Sequence, residues 1–385
     1  MKRNYILAGI IAAAGFFLTA CNDAEYTILD NSVYIADAAS SAQSANVSME
    51  VAGADVKITV RLAKQVATDV EVQIGLNAEL IDAYNQLNST EYKLLPSDKY
   101  SLGDGKVVIP AGNINAVYTV HIAPFDLEGN RYALPVVLTN VIKGDIGKSD
   151  SQSQFIYLIA QPLIVSVPVM KGYNNEGVDV HPDQDWNLLV PTWSIECWAR
   201  MSAYSKNNQA IFDNWGDGET EVYIRFGDAN APYNYLQIKT LGGQVQTARD
   251  LVGGVWYHWA FVYNGTTLYI YRNGELDVQF DPPASARADG MVKFQRLKMI
   301  GSGATYFPDQ CAMSQVRFWK TPLTQTQIKN NMYYAVDATN PNLIAYWPMD
   351  EGSGNVFRDI TGNGNDAQVG ANIIQTWEHN VRFDK

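Results

Sequence analysis

Two Asn-Gly pairs nine residues apart constrain this chain more than any other feature. Val255 to Tyr263 reads as a strand, Asn264-Gly265 as a two-residue turn, Thr267 to Arg272 as the returning strand, and Asn273-Gly274 as a second turn of the same kind. Asn and Gly are the residues that accept the positive φ of tight hairpin turns, so the spacing predicts three antiparallel strands in a meander. Elsewhere, Thr192 to Arg200 alternates with Ile195, Cys197 and Ala199 on one face and Glu196, Trp198 and Arg200 on the other. Met313 to Trp319 reads as a further strand, and Thr324 with Gln327 three residues on forms a capping box that opens a short helix through Met332.

The upstream half is built differently. All nine tryptophans lie after residue 185, whereas residues 26–160 lean on Val, Ile, Ala and Tyr. Val56 to Leu62, Val70 to Ile74 and Val117 to Ile122 alternate with period two, as half-buried strands do. One interruption is helical, with Leu80, Ile81, Tyr84 and Leu87 on one face of residues 79–88. A polar stretch, residues 148–154, and a last strand-like run, Phe155 to Ile159, precede the seam at Ala160-Gln161-Pro162. The expected class is all-β: an Ig-like β-sandwich over 31–161 and a second sandwich over 162–385.

Ahead of both, Lys2-Arg3, an apolar run from Tyr5 to Leu18 and small residues up to Cys21 have the layout of a secretory signal over residues 1–20. Leu18-Thr19-Ala20-Cys21 resembles a bacterial lipobox, which implies lipidation of Cys21, a tether over 21–30 and an outer-membrane anchor. Asp23 and Glu25 resemble the export tag that Bacteroides-type bacteria use to send lipoproteins to the cell exterior. Without residues 1–20 the chain carries 26 basic and 40 acidic side chains, a net of −14, so it repels phosphate backbones and nucleic acid is not a partner. Cys197 and Cys311 are then the remaining cysteines, and whether they pair is open.

Several motifs carry family resemblances. Tyr92-Lys93-Leu94-Leu95-Pro96, Val108-Ile109-Pro110-Ala111-Gly112 and Tyr132-Ala133-Leu134-Pro135-Val136 resemble an uncharacterised N-terminal domain of Bacteroidetes surface lipoproteins, the type found ahead of endo-β-N-acetylglucosaminidases. Ser194 to Trp198, Trp256 to Gly274, Gln315 to Trp319 with Pro322-Leu323-Thr324, and Leu343 to Gly354 followed by Asp359 to Asp366 resemble the laminin-G-like branch of the concanavalin A-like jelly rolls. In many relatives the last of these blocks comes first. Its position here implies a permuted boundary, with a C-terminal strand around Asn380 to Phe383 pairing near the start of the domain.

That superfamily holds both lectins and glycosidases. A retaining hydrolase needs two carboxylates about 5–5.5 Å apart, and the nearest pattern is Asp217-Gly218-Glu219-Thr220-Glu221, with Gly and Thr where the family has core apolars. His121, His181, His258 and His379 lack metal-ligand spacing, and no Gly-x-Ser-x-Gly elbow occurs. Catalysis is therefore not expected. Binding is, because sugars are held by flat aromatics beside amides and carboxylates. Three segments have that content: Asp213, Asn214 and Trp215; Asp228, Asn230, Tyr233 and Tyr235; and a segment around Tyr306. Loops of one sandwich can converge on one rim. Calcium is an optional ion, since many laminin-G-like domains hold one through hard oxygen donors, and Asp359, Asn363 and Asp366 cluster with glycines.

The reading is a surface lipoprotein that captures glycan, by analogy N-glycan or mannose-rich glycan, for a polysaccharide utilisation system, in company with a porin–binder complex. A glycoside hydrolase and a protein-binding adhesin are the alternatives.

Overall fold

The computed structural model describes residues 31–384 apart from 41–42, 89, 128–129, 174–175, 182–183, 216–220, 284–288 and 303–305. The signal segment, the tether, Cys21, Asp217 and Glu219 lie outside the described residues. No helix among the described residues is long and apolar enough to cross a membrane.

The chain is all-β. In the first sandwich one sheet orders Gly147–Lys148, Ser32–Ile35, Ala54–Leu62, Asn115–Ile122 and Tyr100–Ser101. The facing sheet orders Ser44–Ser48, Gln154–Ala160, Tyr132–Lys143, Val70–Leu76 and Lys106–Ile109, with Lys93–Leu94 alongside Tyr132–Lys143. Period-two alternation sends Val56, Ile58, Val60 and Leu62 into the core with Val70, Val72 and Ile74. The helix Glu79–Asn88 forms where its apolar periodicity predicts and buries Ile81 and Tyr84, but Leu87 faces solvent.

The second sandwich has two large sheets. One, here the junction sheet, orders Glu275–Phe280, Leu268–Arg272, Tyr257–Tyr263, Trp193–Met201, Tyr306–Trp319, Val165–Tyr173 and Ile374–Val381, with Leu343–Trp347 also pairing Tyr306–Trp319. The other, the polar-faced sheet, orders Gly243–Gln246, Leu236–Thr240, Val222–Phe226, Gln209–Trp215, Arg296–Ser302, Val178–Val180, Ala367–Val369 and Val356–Phe357. The C-terminal strand does lie beside the strand that opens the domain, with Val165 opposite Val381, and it begins earlier than the sequence implied, at Ile374. Between the sheets sit Trp193, Trp259 and Trp347 with Phe212, Phe261, Phe294 and Phe318. Each large apolar side chain so buried contributes roughly 1.5–3 kcal/mol.

The meander is present, with one of its turns longer than expected. Arg272 pairs with Glu275 across a two-residue turn in which Asn273 and Gly274 both have positive φ. At the other turn Tyr263 pairs with Leu268, leaving four loop residues. Asn264 is not in the left-handed region there. Its Oδ1 instead accepts the N–H groups of Thr266 and Thr267, at 3.0 and 2.8 Å, and so closes the loop as an Asx turn. Cys197 and Cys311 are both buried free thiols, each pushed up by desolvation, with no bridge between them.

A second apolar layer covers the outside of the junction sheet. The helix Gln325–Asn331, capped at Thr324 with the reciprocal Gln327 contact, packs with Leu323, Ile328 and Val336 over Ala260, Val262, Trp319 and Tyr346. The layer buries Glu196 on the outer face of Trp193–Met201, and Trp198 on the same face is buried in a neighbouring cluster, stacked on Phe383 at 4.8 Å with Met332 and Tyr333 alongside. Beneath the layer Arg317 donates to Glu196 at 3.2 Å and to the carbonyls of Asn331 and Tyr334 at 3.0 and 2.6 Å.

The same layer carries the first sandwich. Arg131 donates from Nη1 to Asn331 Oδ1 at 2.7 Å and from Nη2 to the Ala335 carbonyl at 2.8 Å. Asn330 Nδ2 reaches Tyr84 Oη at 2.6 Å. Near the C-terminus Arg382 grips the Glu50 carboxylate with two bonds of 3.1 and 3.0 Å.

Candidate functional site

Strand register assembles a row of polar side chains across the outside of the polar-faced sheet. Gln244 lies opposite Lys239, Lys239 opposite Tyr223, Tyr223 opposite Asp213, Asp213 opposite Lys298, Lys298 opposite Asp179, and Asp179 opposite Gln368. These residues alternate with Val222, Ile224, Ile238, Leu297, Met299, Val178 and Val180, which fill the core; Gln244 and Lys239 are exposed and Lys298, Asp179 and Gln368 half-buried, whereas Tyr223 and Asp213 at the middle of the row are buried. Seven positions one strand apart span six steps of about 4.8 Å, roughly 29 Å.

The row is electrically balanced. Lys298 pairs with Asp179 at 3.6 Å and Lys239 with Glu221 at 3.1 Å, so positive and negative groups alternate and no net field favours an ion. Arg225, on the adjacent row, lies 4.8 Å over the Tyr223 ring, donates to Gln237 Oε1 at 2.6 Å and pairs with Asp228 at 3.0 Å. Its Nε is buried with no partner.

The predicted residues divide among these features. Asp213 belongs to the outward row and is 8% exposed. Asn214, one residue on, turns inward: it is fully buried and donates to the Lys293 carbonyl at 3.0 Å, so it does not face a ligand, contrary to the expectation. Trp215 ends the strand opposite Arg296 rather than opening a loop. Asp228, Asn230, Tyr233 and Tyr235 occupy the hairpin tip 227–235 after Phe226. There Asp228 and Tyr235 brace the loop, the Tyr235 hydroxyl accepting the Asp228 N–H at 2.9 Å and Asp228 Oδ2 accepting from Gln237 at 3.2 Å. Tyr233 is half-buried and packs on Gly227, where a Cβ would sit 2.6 Å from the tyrosine Cβ, so only glycine fits. Asn230 is exposed, and Asn234 Oδ1 is buried without a partner.

The expected convergence on one rim fails for Trp215. Phe226 pairs with Gln209 and Val222 with Asn214, so the tip 227–235 and Trp215 lie at opposite ends of the same strands. Tyr306 opens the strand Tyr306–Trp319 in the other sheet at the tip's end, since Asp309 three residues on accepts from Gln209, the partner of Phe226. Asp213 and Tyr223, between the two ends, are what the register brings together. Of these Tyr223, Lys239, Lys298, Asp179 and Gln368 were not singled out by sequence, and only period-two alternation combined with pairing partners could have found them.

The cluster at 359–366 does not fit a calcium ion. Both Asp359 oxygens are taken by N–H and O–H donors: Oδ1 by Tyr346 N, Thr361 N and Thr361 Oγ1 at 3.0, 3.1 and 2.7 Å, Oδ2 by Asn365 N and Nδ2 at 3.1 and 3.0 Å. Asp366 accepts the Asp359 N–H at 2.9 Å and pairs with Arg358, and Asn363 aims its amide N–H at the Ile344 carbonyl at 3.0 Å. A cation needs oxygens directed at it, and here they face donors. The acids close an Asx-type loop that also receives the Trp347 indole N–H on the Asn365 carbonyl at 2.6 Å.

Residues 173–329 match the concanavalin A-like lectin/glucanases superfamily, in its laminin-G group. The second sandwich is a concanavalin A-like domain. Residues 29–144 match a family of N-terminal domains, which covers most of the first sandwich. Among solved structures the chain is similar to a candidate carbohydrate binding protein from Bacteroides ovatus, at 21% identity over 91% of this chain and 99% of that one, with a TM-score of 0.50. It also matches Bacteroides thetaiotaomicron EndoBT-3987 with its Man5GlcNAc product, at 22% identity over 33% of this chain and 30% of that one, TM-score 0.28. A heptameric pentraxin from Limulus polyphemus matches at 11% identity over 54% of this chain and 94% of that one, TM-score 0.36. No curated protein matches the sequence. The Bacteroides ovatus likeness extends across both sandwiches, so the chain shares its two-domain fold with that protein.

Proposed function

We propose that this chain is a non-catalytic glycan-binding lipoprotein, held on the outer membrane through Cys21 and facing the cell exterior, whose concanavalin A-like domain captures neutral polysaccharide or glycoprotein glycan on the polar-faced sheet. The observation that carries the reading is the balanced row from Gln244 to Gln368, a line of donors and acceptors with alternating charge. Hydroxyl groups both donate and accept, so a neutral sugar chain satisfies such a line along its length, whereas a polyanion meets as many carboxylates as ammonium groups and, without residues 1–20, a chain of net charge −14. The half-buried Tyr233, on the hairpin tip beyond Phe226, offers a ring for stacking. The superfamily match and the carbohydrate-binding description of the Bacteroides ovatus protein support the same class of ligand.

Turnover is not part of the proposal. Tethering concentrates the site at the surface, so a weak single contact retains a polymer through repeated engagement. A porin–binder complex would then receive the cargo.

The test is a glycan array with the soluble chain, residues 22–385, and with the Lys239→Ala, Lys298→Ala double variant. Retention of at least one neutral glycan class, reduced tenfold or more in the variant, is expected. No retained glycan, or retention indifferent to the two lysines, overturns the reading.

A further inference from the structure

Where the two sandwiches meet, the chain leaves a cleft of about 420 Å3. That is within the 300–1,000 Å3 of small-molecule sites, which favour domain interfaces. One wall is the connecting segment 160–165, with Pro162, Leu163 and Ile164 supplying apolar surface. The rest of the lining comes from both domains and is mostly polar, Tyr92, Asn130 and Arg131 from the first and Tyr334 and Asp350 from the second, with Leu127 and Ala335 adding apolar surface.

Three features separate this cleft from an incidental gap. Its frame is already built, because Arg131 is fixed on Asn331 and Ala335, Asn330 on Tyr84, and Tyr84 packs edge-on to Tyr92 at 5.9 Å. A preformed frame spares a ligand the cost of ordering it. The lining pairs one cation, Arg131, with one anion, Asp350, so no net charge is offered. An apolar strip facing a hydrogen-bonding wall matches a pyranose, which has a C–H face and a hydroxyl edge.

We propose that the junction cleft is a second carbohydrate site, one that takes the end of a neutral glycan, a terminal sugar or two, rather than a through-running chain. The volume is too small for a polymer, and the site lies against the junction sheet, on the opposite side of the sandwich from the polar row. It does not depend on the polar row binding anything. Two contacts of different kind on one tethered molecule, one for chain ends and one for chain middles, give bivalent capture of a single glycan.

The experiment is ligand-observed saturation-transfer NMR and calorimetry on residues 22–385 with free mannose, N-acetylglucosamine, glucose and galactose as probes. Ile164→Trp, at a position 54% exposed, fills the cleft without touching its hydrogen-bonded frame, and Asp350→Ala removes an acceptor from the opposite wall. At least one monosaccharide is expected to bind, with affinity reduced tenfold or more in both variants and unchanged in Lys239→Ala, Lys298→Ala. Binding of none of the four sugars overturns the proposal, as does binding that survives Ile164→Trp or is lost with the two lysines instead. The last outcome leaves the polar row standing as the sugar site, whereas array retention that is absent from the unmutated chain or indifferent to the two lysines, with intact monosaccharide binding, removes the row and keeps the cleft.

Discussion

Replacing Arg317 with Met should cost the second sandwich about 3–5 kcal/mol, the range for breaking a buried pair by removing one partner. Arg317 is fully buried, and its guanidinium serves four acceptors: Glu196 Oε1 at 3.2 Å, the Asn331 carbonyl at 3.0 Å, the Tyr334 carbonyl at 2.6 Å and Gln315 Oε1 at 3.4 Å. Met fills much of the same volume, so the loss is electrostatic. Glu196 remains fully buried with the Trp319 indole N–H at 3.2 Å as its close donor, and two main-chain carbonyls lose theirs, at roughly 1–3 kcal/mol for each buried group left unsatisfied. The assay is chemical unfolding followed by tryptophan emission, which reports the second sandwich alone because all nine tryptophans lie there. A domain of about 200 residues should lose on the order of 10 °C in Tm. Because Asn331 and Tyr334 belong to the segment that holds Arg131 and Tyr84, the variant should also undock the first sandwich and expose residues 161–164 to protease. Adding Glu196→Gln should recover part of the loss, a coupling of roughly 0.5–3 kcal/mol. A single variant that loses under about 1 kcal/mol, or a double variant that loses the plain sum, would refute the argument that the pair supports the junction.

Burial, with Arg317 nearby, holds the His258 imidazole well below the usual histidine range. The unfolded chain therefore takes up a proton below about pH 6.5 that the native chain refuses, and stability falls as pH falls from there, by up to about 1.4 kcal/mol per pH unit. His258→Asn should flatten that slope in unfolding curves taken between pH 6.5 and 5.5. Calcium at millimolar concentration, or its removal by chelator, should leave Tm unchanged, since the Asp359 oxygens already face donors, whereas Asp359→Ala should lower Tm by several degrees in a thermal scan. Asn273→Ala should cost about 1–2 kcal/mol in the same unfolding assay, because the residue sits at φ +53° and its Oδ1 accepts the His258 N–H at 2.8 Å.

What was legible in the chain is what neighbours in sequence decide. The capping box at Thr324, the Asn273-Gly274 turn and the alternation of Ala54–Leu62 are local, and each appears as read. The site was mostly illegible for the opposite reason. Asp179, Asp213, Tyr223, Lys239 and Lys298 are strangers in sequence, and they meet because five strands pair in one register. Asn214 shows how little local content decides: its amide sits beside Asp213 in the chain, yet the two-residue period of a strand sends it to the other face. At 359–366 the glycines and acids have the composition of an ion loop, and the discriminating fact is which atoms they face, Asp359 taking five donors from its own neighbourhood. The junction adds a third case. Glu196 alternates like a solvent-facing strand residue, and it is buried because the segment 320–342 returns over that face and brings Arg317 its carbonyl partners. A charged residue on the apparent outer face of a strand therefore marks either solvent or a second layer. Here it marks the layer on which the two sandwiches are joined, and that joint is what gives the cleft beside Arg131 its fixed walls.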